Sequence, residues 1–189
     1  INNNRKDISF ICKILVSSLP IIIIGFLFMD KIDTMFHHAN HVVFIMLILT
    51  GFLLIFSSIF IRNNKRITFF HAIMMGLAQA IAIIPGISRS GITIVTALFY
   101  KIKREEAAEF SFLMALFPII GISFVELYYI LTIGLDLDSL TIKGLMIAFC
   151  ASFISGLIAC YYMIKVIQNN NLKYFGYYCI IIGIIFGIM

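Results

Sequence analysis

Residues 85–93 read Pro-Gly-Ile-Ser-Arg-Ser-Gly-Ile-Thr, placing one arginine, three hydroxyls and two glycines within an otherwise apolar region. An arginine so placed costs about 2.5–3.5 kcal/mol on membrane-insertion scales and calls for a partner. The nearest acids in sequence, Glu105 and Glu106, lie beyond the apolar residues that follow the run. An anionic ligand is therefore the natural candidate for Arg89, because guanidinium offers a planar fork that matches two phosphate oxygens at once. Pro85-Gly86 breaks one helix, Ser88 or Ser90 can cap the next, and Gly91 permits close approach of backbone to a ligand. Free N–H groups and the positive helix end then point to one place, which suits phosphate. Thr93, three residues after Ser90, adds a hydroxyl on the same turn. The competing account is that the hydroxyls merely cap a broken helix while Arg89 reaches for water. The arginine favours the anion site.

Other chemistry is weaker. The four cysteines, Cys12, Cys150, Cys160 and Cys179, lie in apolar runs without a Cys-x-x-Cys pair and read as small hydrophobes. His37, His38 and His41 could offer two metal ligands on one helical face, but they fall in a polar stretch and read as an interfacial loop. No metal site is expected from these residues. His71 reads as a hydrogen-bonded structural histidine. Glu126 is placed near the end of a span, where it can meet Lys143 or water. Glu105, Glu106 and Glu109 read as a solvated or dipole-compensating helix start.

The elements that position Arg89 follow from composition. Of 189 residues, 62% are hydrophobic and 12% charged, and the mean hydropathy is +1.08. That is too little polar surface to wet a globule, so lipid must be the solvent for most of the chain. A net charge of +5 then reads as basic loops on one membrane side rather than nucleic-acid binding. Apolar runs near 8–28, 42–61, 110–132, 142–164 and 172–189 each approach the roughly 20 residues of a spanning helix.

Residues 69–100 do not fit that pattern, because Pro85-Gly86 leaves about 16 residues before the break and about 9 after it. Charge decides how this region runs. If it enters and leaves on one side, Arg5, Lys6, Lys13, Arg62, Lys65, Arg66, Lys101, Lys103, Arg104, Lys165 and Lys173 share a face, 11 of the 14 basic residues. A single crossing would scatter them. The expectation is an all-α polytopic membrane protein with about five spanning helices, one re-entrant broken hairpin over 69–100, and a C-terminus outside. Three rows of small residues, Ala72/Gly76/Ala80, Ala148/Ser152/Gly156 and Gly183/Gly187, read as packing seams.

Gly76-Leu77-Ala78-Gln79, the run 85–94, the block Glu105-Glu106-Ala107-Ala108-Glu109-Phe110-Ser111-Phe112-Leu113, and Pro118 with Gly121 together resemble the bacterial undecaprenyl-diphosphate phosphatases, or bacitracin-resistance proteins. The likeness is dense over 76–128. It implies inverted repeats, each with a re-entrant hairpin, and removal of the terminal phosphate of a polyprenyl diphosphate carrier used in cell-wall synthesis. Carried onto this chain, it makes Arg89, Ser88 and Thr93 catalytic and Ser90, Gly86, Gly91 and Gln79 substrate-binding. It implies a divalent cation, Mg²⁺ or Ca²⁺, whose ligands are not found here. The family's earlier Glu-rich signature is also not found: no Glu precedes Glu105, and Ser17-Ser18 runs into Leu19-Pro20.

The expectation is thus a single membrane domain without that first hairpin, a chain that on its own binds anion but does not turn it over. Expected partners are the lipid diphosphate, the bilayer and a second copy of the chain, with no nucleic acid, in the bacterial inner membrane. A phosphatidic-acid-type phosphatase, which needs His where Val95 stands, is unlike this sequence. A transporter or flippase using the broken helix as an anion site is the alternative.

Overall fold

The computed structural model describes residues 2–28, 40–60, 64–133 and 139–188. These form α1 (Asn2–Leu27), α2 (Asn40–Ser57), α3 (Phe69–Ile81), α4 (Arg89–Phe99), α5 (Arg104–Ile133), α6 (Ser139–Gln168) and α7 (Leu172–Ile188). The protein is an all-α membrane protein. The stretches Asp7–Leu27, Arg104–Thr132 and Ile142–Gln168 are long and apolar enough to cross a bilayer. At 18 and 17 residues, α2 and α7 rise about 27 and 26 Å, just short of a typical ~30 Å hydrocarbon core. These five helices occupy the five apolar runs of the sequence. α5 begins at Arg104, earlier than its apolar run, because Glu105 and Glu106 in its first turn complement the helix dipole.

The region 69–100 folds back on itself. α3 has 13 residues and α4 has 11, about 20 and 17 Å of helix, and neither can span alone. The break falls earlier than the apolar count suggests, since Ala82–Ile87 run as successive turns ahead of and around Pro85. At the base of the hairpin its two ends are tied together. The Lys65 N–H donates to the Lys101 carbonyl at 2.9 Å, and the Lys103 N–H donates to the Lys65 carbonyl at 3.0 Å. Chain entry and exit are therefore neighbours, the arrangement that the charge distribution called for.

Other polar contacts gather at the same end. Lys13 Nζ donates to the Ile67 carbonyl at 2.8 Å, Arg104 Nη2 to the Phe60 carbonyl at 2.8 Å, and Asn170 Nδ2 to the Ser58 carbonyl at 3.3 Å. Glu106 Oε1 accepts the Ile67 N–H at 2.9 Å. Glu106 thus clamps the hairpin's entry strand rather than simply facing water. His71 caps α3: its Nδ1 accepts the Thr68 N–H at 3.2 Å while Thr68 Oγ1 accepts the His71 N–H.

Two of the three small-residue seams are packed. Ala72, Gly76 and Ala80 are buried where α3 meets α1, and a Cβ on Gly76 would overlap the Ser17 carbonyl. Gly183 and Gly187 face Phe44 and Ile48 in an antiparallel α2/α7 pair, joined there by Gly51 against Gly176. The Ala148/Ser152/Gly156 row differs: it is exposed, and a Cβ on Gly156 would meet no described atom within 4 Å. The apolar core surrounds the hairpin instead, with Met75, Ile94, Ala97, Leu98, Phe110 and Met114 fully buried.

A shared membrane side for the two hairpin ends has a direct consequence. Single cysteines at Asn64 and Lys103, in a background with Cys12, Cys150, Cys160 and Cys179 replaced, are expected to react with an impermeant thiol reagent from the same side of sealed vesicles. Labelling from opposite sides would contradict the bridged base.

Candidate active site

Gly86 forms the turn that reverses the chain. Its φ of 96° lies in the region that only glycine adopts freely. A Cβ there would overlap the Val43 carbonyl oxygen and stand 3.0 Å from Met46 Cβ, so backbone of the tip lies directly against α2. Beside it, the Ser88 N–H donates to Thr50 Oγ1 at 3.2 Å, and that hydroxyl donates to the Met46 carbonyl at 2.9 Å. Thr50 is 2% exposed. It lies ten residues before Phe60, about 15 Å of rise from the basic end and near half of the ~30 Å hydrocarbon depth.

Ser88 is the N-cap of α4. Its side chain accepts the Gly91 N–H at 3.2 Å, and its carbonyl takes the Ile92 N–H at 2.9 Å. A Cβ at residue 91 would sit 3.0 Å from Ser88 Oγ, so the glycine preserves the cap. This leaves the N–H groups of Arg89 and Ser90 as the free amides of the first turn. The guanidinium of half-buried Arg89 and the hydroxyl of Ser90 have no partner among the described residues. Two amides, a guanidinium and two hydroxyls thus belong to the cap and first turn of one helix, at the positive end of its dipole. An arginine held there is costly without a partner.

Two residues of the motif lie elsewhere. Thr93 is 1% exposed and turns away from that opening. Its hydroxyl lies 3.0 Å from the Arg89 carbonyl and 3.1 Å from the Ser90 carbonyl, and it pairs with the buried Ser111 hydroxyl of α5. In this arrangement it forms a joint between α4 and α5. Gln79 is completely buried, and among the described residues neither its amide nitrogen nor its oxygen has a hydrogen-bond partner. It cannot touch a ligand without water entry or a shift of the helix. Gly86 and Gly91 stand where the sequence put them, at the turn and in the first turn of α4.

No hydrogen bond among the described residues joins the remaining candidates to the tip. His41 is exposed in the first turn of α2 rather than in a loop, while His37 and His38 lie outside the described residues. Asp7, Glu105, Glu106 and Glu109 belong to the basic end, and Glu126 is exposed on the outer half of α5. Among the described residues no three His, Cys, Asp or Glu side chains form a group able to hold a metal.

The sequence matches the family described as Bacitracin resistance protein BacA over residues 1–185. The chain belongs to the BacA family. Among its curated relatives, the undecaprenyl-diphosphatase of Bacteroides fragilis strain YCH46 is 38% identical over 182 residues, covering 96% of this chain and 68% of the relative. That of Halothermothrix orenii is 40% identical over 179 residues, covering 93% and 68%. A third relative, the undecaprenyl-diphosphatase of Methanococcus maripaludis, is 34% identical over 179 residues, covering 93% of this chain and 68% of the relative. The hairpin tip, Thr50 and Ser111 all fall inside the stretch matched to BacA. Sequence reasoning passed over both hydroxyls. Thr50 had a signal, as the one polar side chain between Val43 and Phe56; Ser111 lay within a recognised block without being singled out.

Proposed function

We propose that this chain acts in the hydrolysis of undecaprenyl diphosphate to undecaprenyl phosphate, as a multi-pass, homodimeric protein of the bacterial inner membrane. By releasing the carrier for reuse it would support cell-wall synthesis and bacitracin resistance. The observation that carries the reading is Arg89, without a partner among the described residues, at a capped helix N-terminus mid-way through a membrane protein of the BacA family.

Arg89 spans two oxygens of the diphosphate and offsets charge as the phosphoric anhydride bond breaks. The Ser90 hydroxyl and the Arg89 and Ser90 amides hold a phosphate, Ser88 caps the helix and offers its remaining O–H, and Thr93 fixes the turn. Gly86 and Gly91 keep the backbone close. Gln79 contributes from behind the tip through a water that satisfies its buried amide. No step is routed through a cation, and no described carboxylate is assigned the proton transfer.

The test is binding in proteoliposomes. Farnesyl diphosphate is expected to bind more tightly than farnesyl monophosphate, since one fork and two amides engage a second phosphate. Equal affinity for the two would overturn the diphosphate reading. A broken helix at mid-depth also suits a transporter. Movement of intact lipid between leaflets, without phosphate release in the same vesicles, would establish that reading instead.

A further inference from the structure

The Thr50 contact does more than pack the hairpin. The threonine hydroxyl has one proton, which goes to the Met46 carbonyl at 2.9 Å; the Gly86 carbonyl, at 3.5 Å, is the longer alternative. Its lone pairs are then free to accept, and the Ser88 N–H fills one of them at 3.2 Å. Polarity therefore runs in one direction, from Ser88 N–H through Thr50 to the backbone of α2. A valine of the same shape could neither accept nor donate.

Two things follow for the ligand. First, the N-cap residue is fastened to α2 by its backbone, and Arg89 is the next residue. Where Ser88 is held decides where the guanidinium starts and whether Ser88 Oγ meets the Gly91 N–H. Second, the Ser88 amide is removed from the donors that face an anion, leaving those of Arg89 and Ser90. The anion is received by a defined pair of amides rather than by a looser set of three.

The geometry points to Thr50 as a positioning residue for the diphosphate site, acting through Ser88 on the aim of Arg89. This deepens the function proposed above and rests on it. Thr50 does not touch substrate. Its effect is one of orientation, in which a displacement of about 1 Å can cost on the order of a hundredfold.

The experiment measures farnesyl diphosphate affinity in proteoliposomes for Thr50→Val, Thr50→Ser, Ser88→Ala and the Thr50→Val/Ser88→Ala pair. Thr50→Val is expected to weaken binding about tenfold, and Thr50→Ser, which keeps the hydroxyl, to restore it. In the pair the losses should be less than additive, because both act on one cap. Wild-type affinity in Thr50→Val, or a Thr50→Ser variant as weak as Thr50→Val, would overturn the assignment, since simple packing would follow side-chain shape. Arg89→Lys is run alongside. If it too binds normally, the diphosphate reading itself has failed; if it is weakened while Thr50→Val is not, only the positioning role has. Should Thr50→Val not accumulate, amide exchange in the unaltered chain decides. The Ser88 N–H is expected to exchange at least tenfold more slowly than those of Arg89 and Ser90, and equal rates would overturn the proposal.

Discussion

Replacing Arg89 by lysine is expected to weaken farnesyl diphosphate binding at least tenfold, although the charge is kept. Tenfold corresponds to about 1.4 kcal/mol. The reason is geometric. Arg89 stands one residue after a cap that is fixed on two sides, by Thr50 through its N–H and by Gly91 through its hydroxyl. A planar fork in that position can engage two oxygens together, whereas an ammonium is a point charge with three diverging protons. In a relative that carries the same Ser-Arg-Ser-Gly run, turnover is expected to fall by the same factor or more. Isothermal titration and phosphate release measure the two effects. Near-normal values in both would make Arg89 a steering or structural charge.

Gly86→Ala is expected to be at least as damaging, by a different route. The residue holds a φ of 96°, and its added Cβ would overlap the Val43 carbonyl oxygen. Holding a side chain in such a conformation costs on the order of 1–3 kcal/mol before any clash is counted. The tip can relieve both only by moving off α2, which separates Ser88 from Thr50. Loss of diphosphate binding and a lower melting temperature should therefore appear together. Gly121→Ala is the control, because a Cβ there would meet no described atom within 4 Å, and alanine favours helix by up to about 1 kcal/mol over glycine. A Gly86→Ala variant that melts and binds as the unaltered protein does would contradict the close approach of tip and α2.

Much of this arrangement was legible in the sequence because lipid imposes few solutions. Apolar length marks the helices, Pro85-Gly86 marks the break, and the placement of Arg and Lys decides that the break belongs to a hairpin. The inward turn of Thr93 was not legible. Position along a helix gives the face only once its neighbours are known, and α4 is enclosed by α2, α3 and α5 together. Thr50 and Ser111 escaped for a related reason: a hydroxyl in an apolar helix is usually satisfied by its own backbone. The Ser57 and Ser58 hydroxyls, which donate to the Leu54 and Ile55 carbonyls three residues back, show that ordinary case. Only the third dimension shows which hydroxyl also accepts from a distant segment. Gln79 is the converse, a polar residue in a recognised motif whose burial without a partner no spacing rule foretells.

The bridged base of the hairpin also bears on the order in which this protein can be assembled. Its strands are held from outside by Glu106, which takes the Ile67 N–H, and α5 begins only at Arg104, after the last residue of α4. During synthesis the arginine-bearing arms therefore emerge before the residue that clamps their base. Neither arm can cross lipid alone, and an unclamped pair would expose broken backbone to hydrocarbon. The hairpin is accordingly expected to wait at the membrane surface, or within the insertion machinery, until α5 arrives. The anion site would thus come into being only once α5 has joined the hairpin.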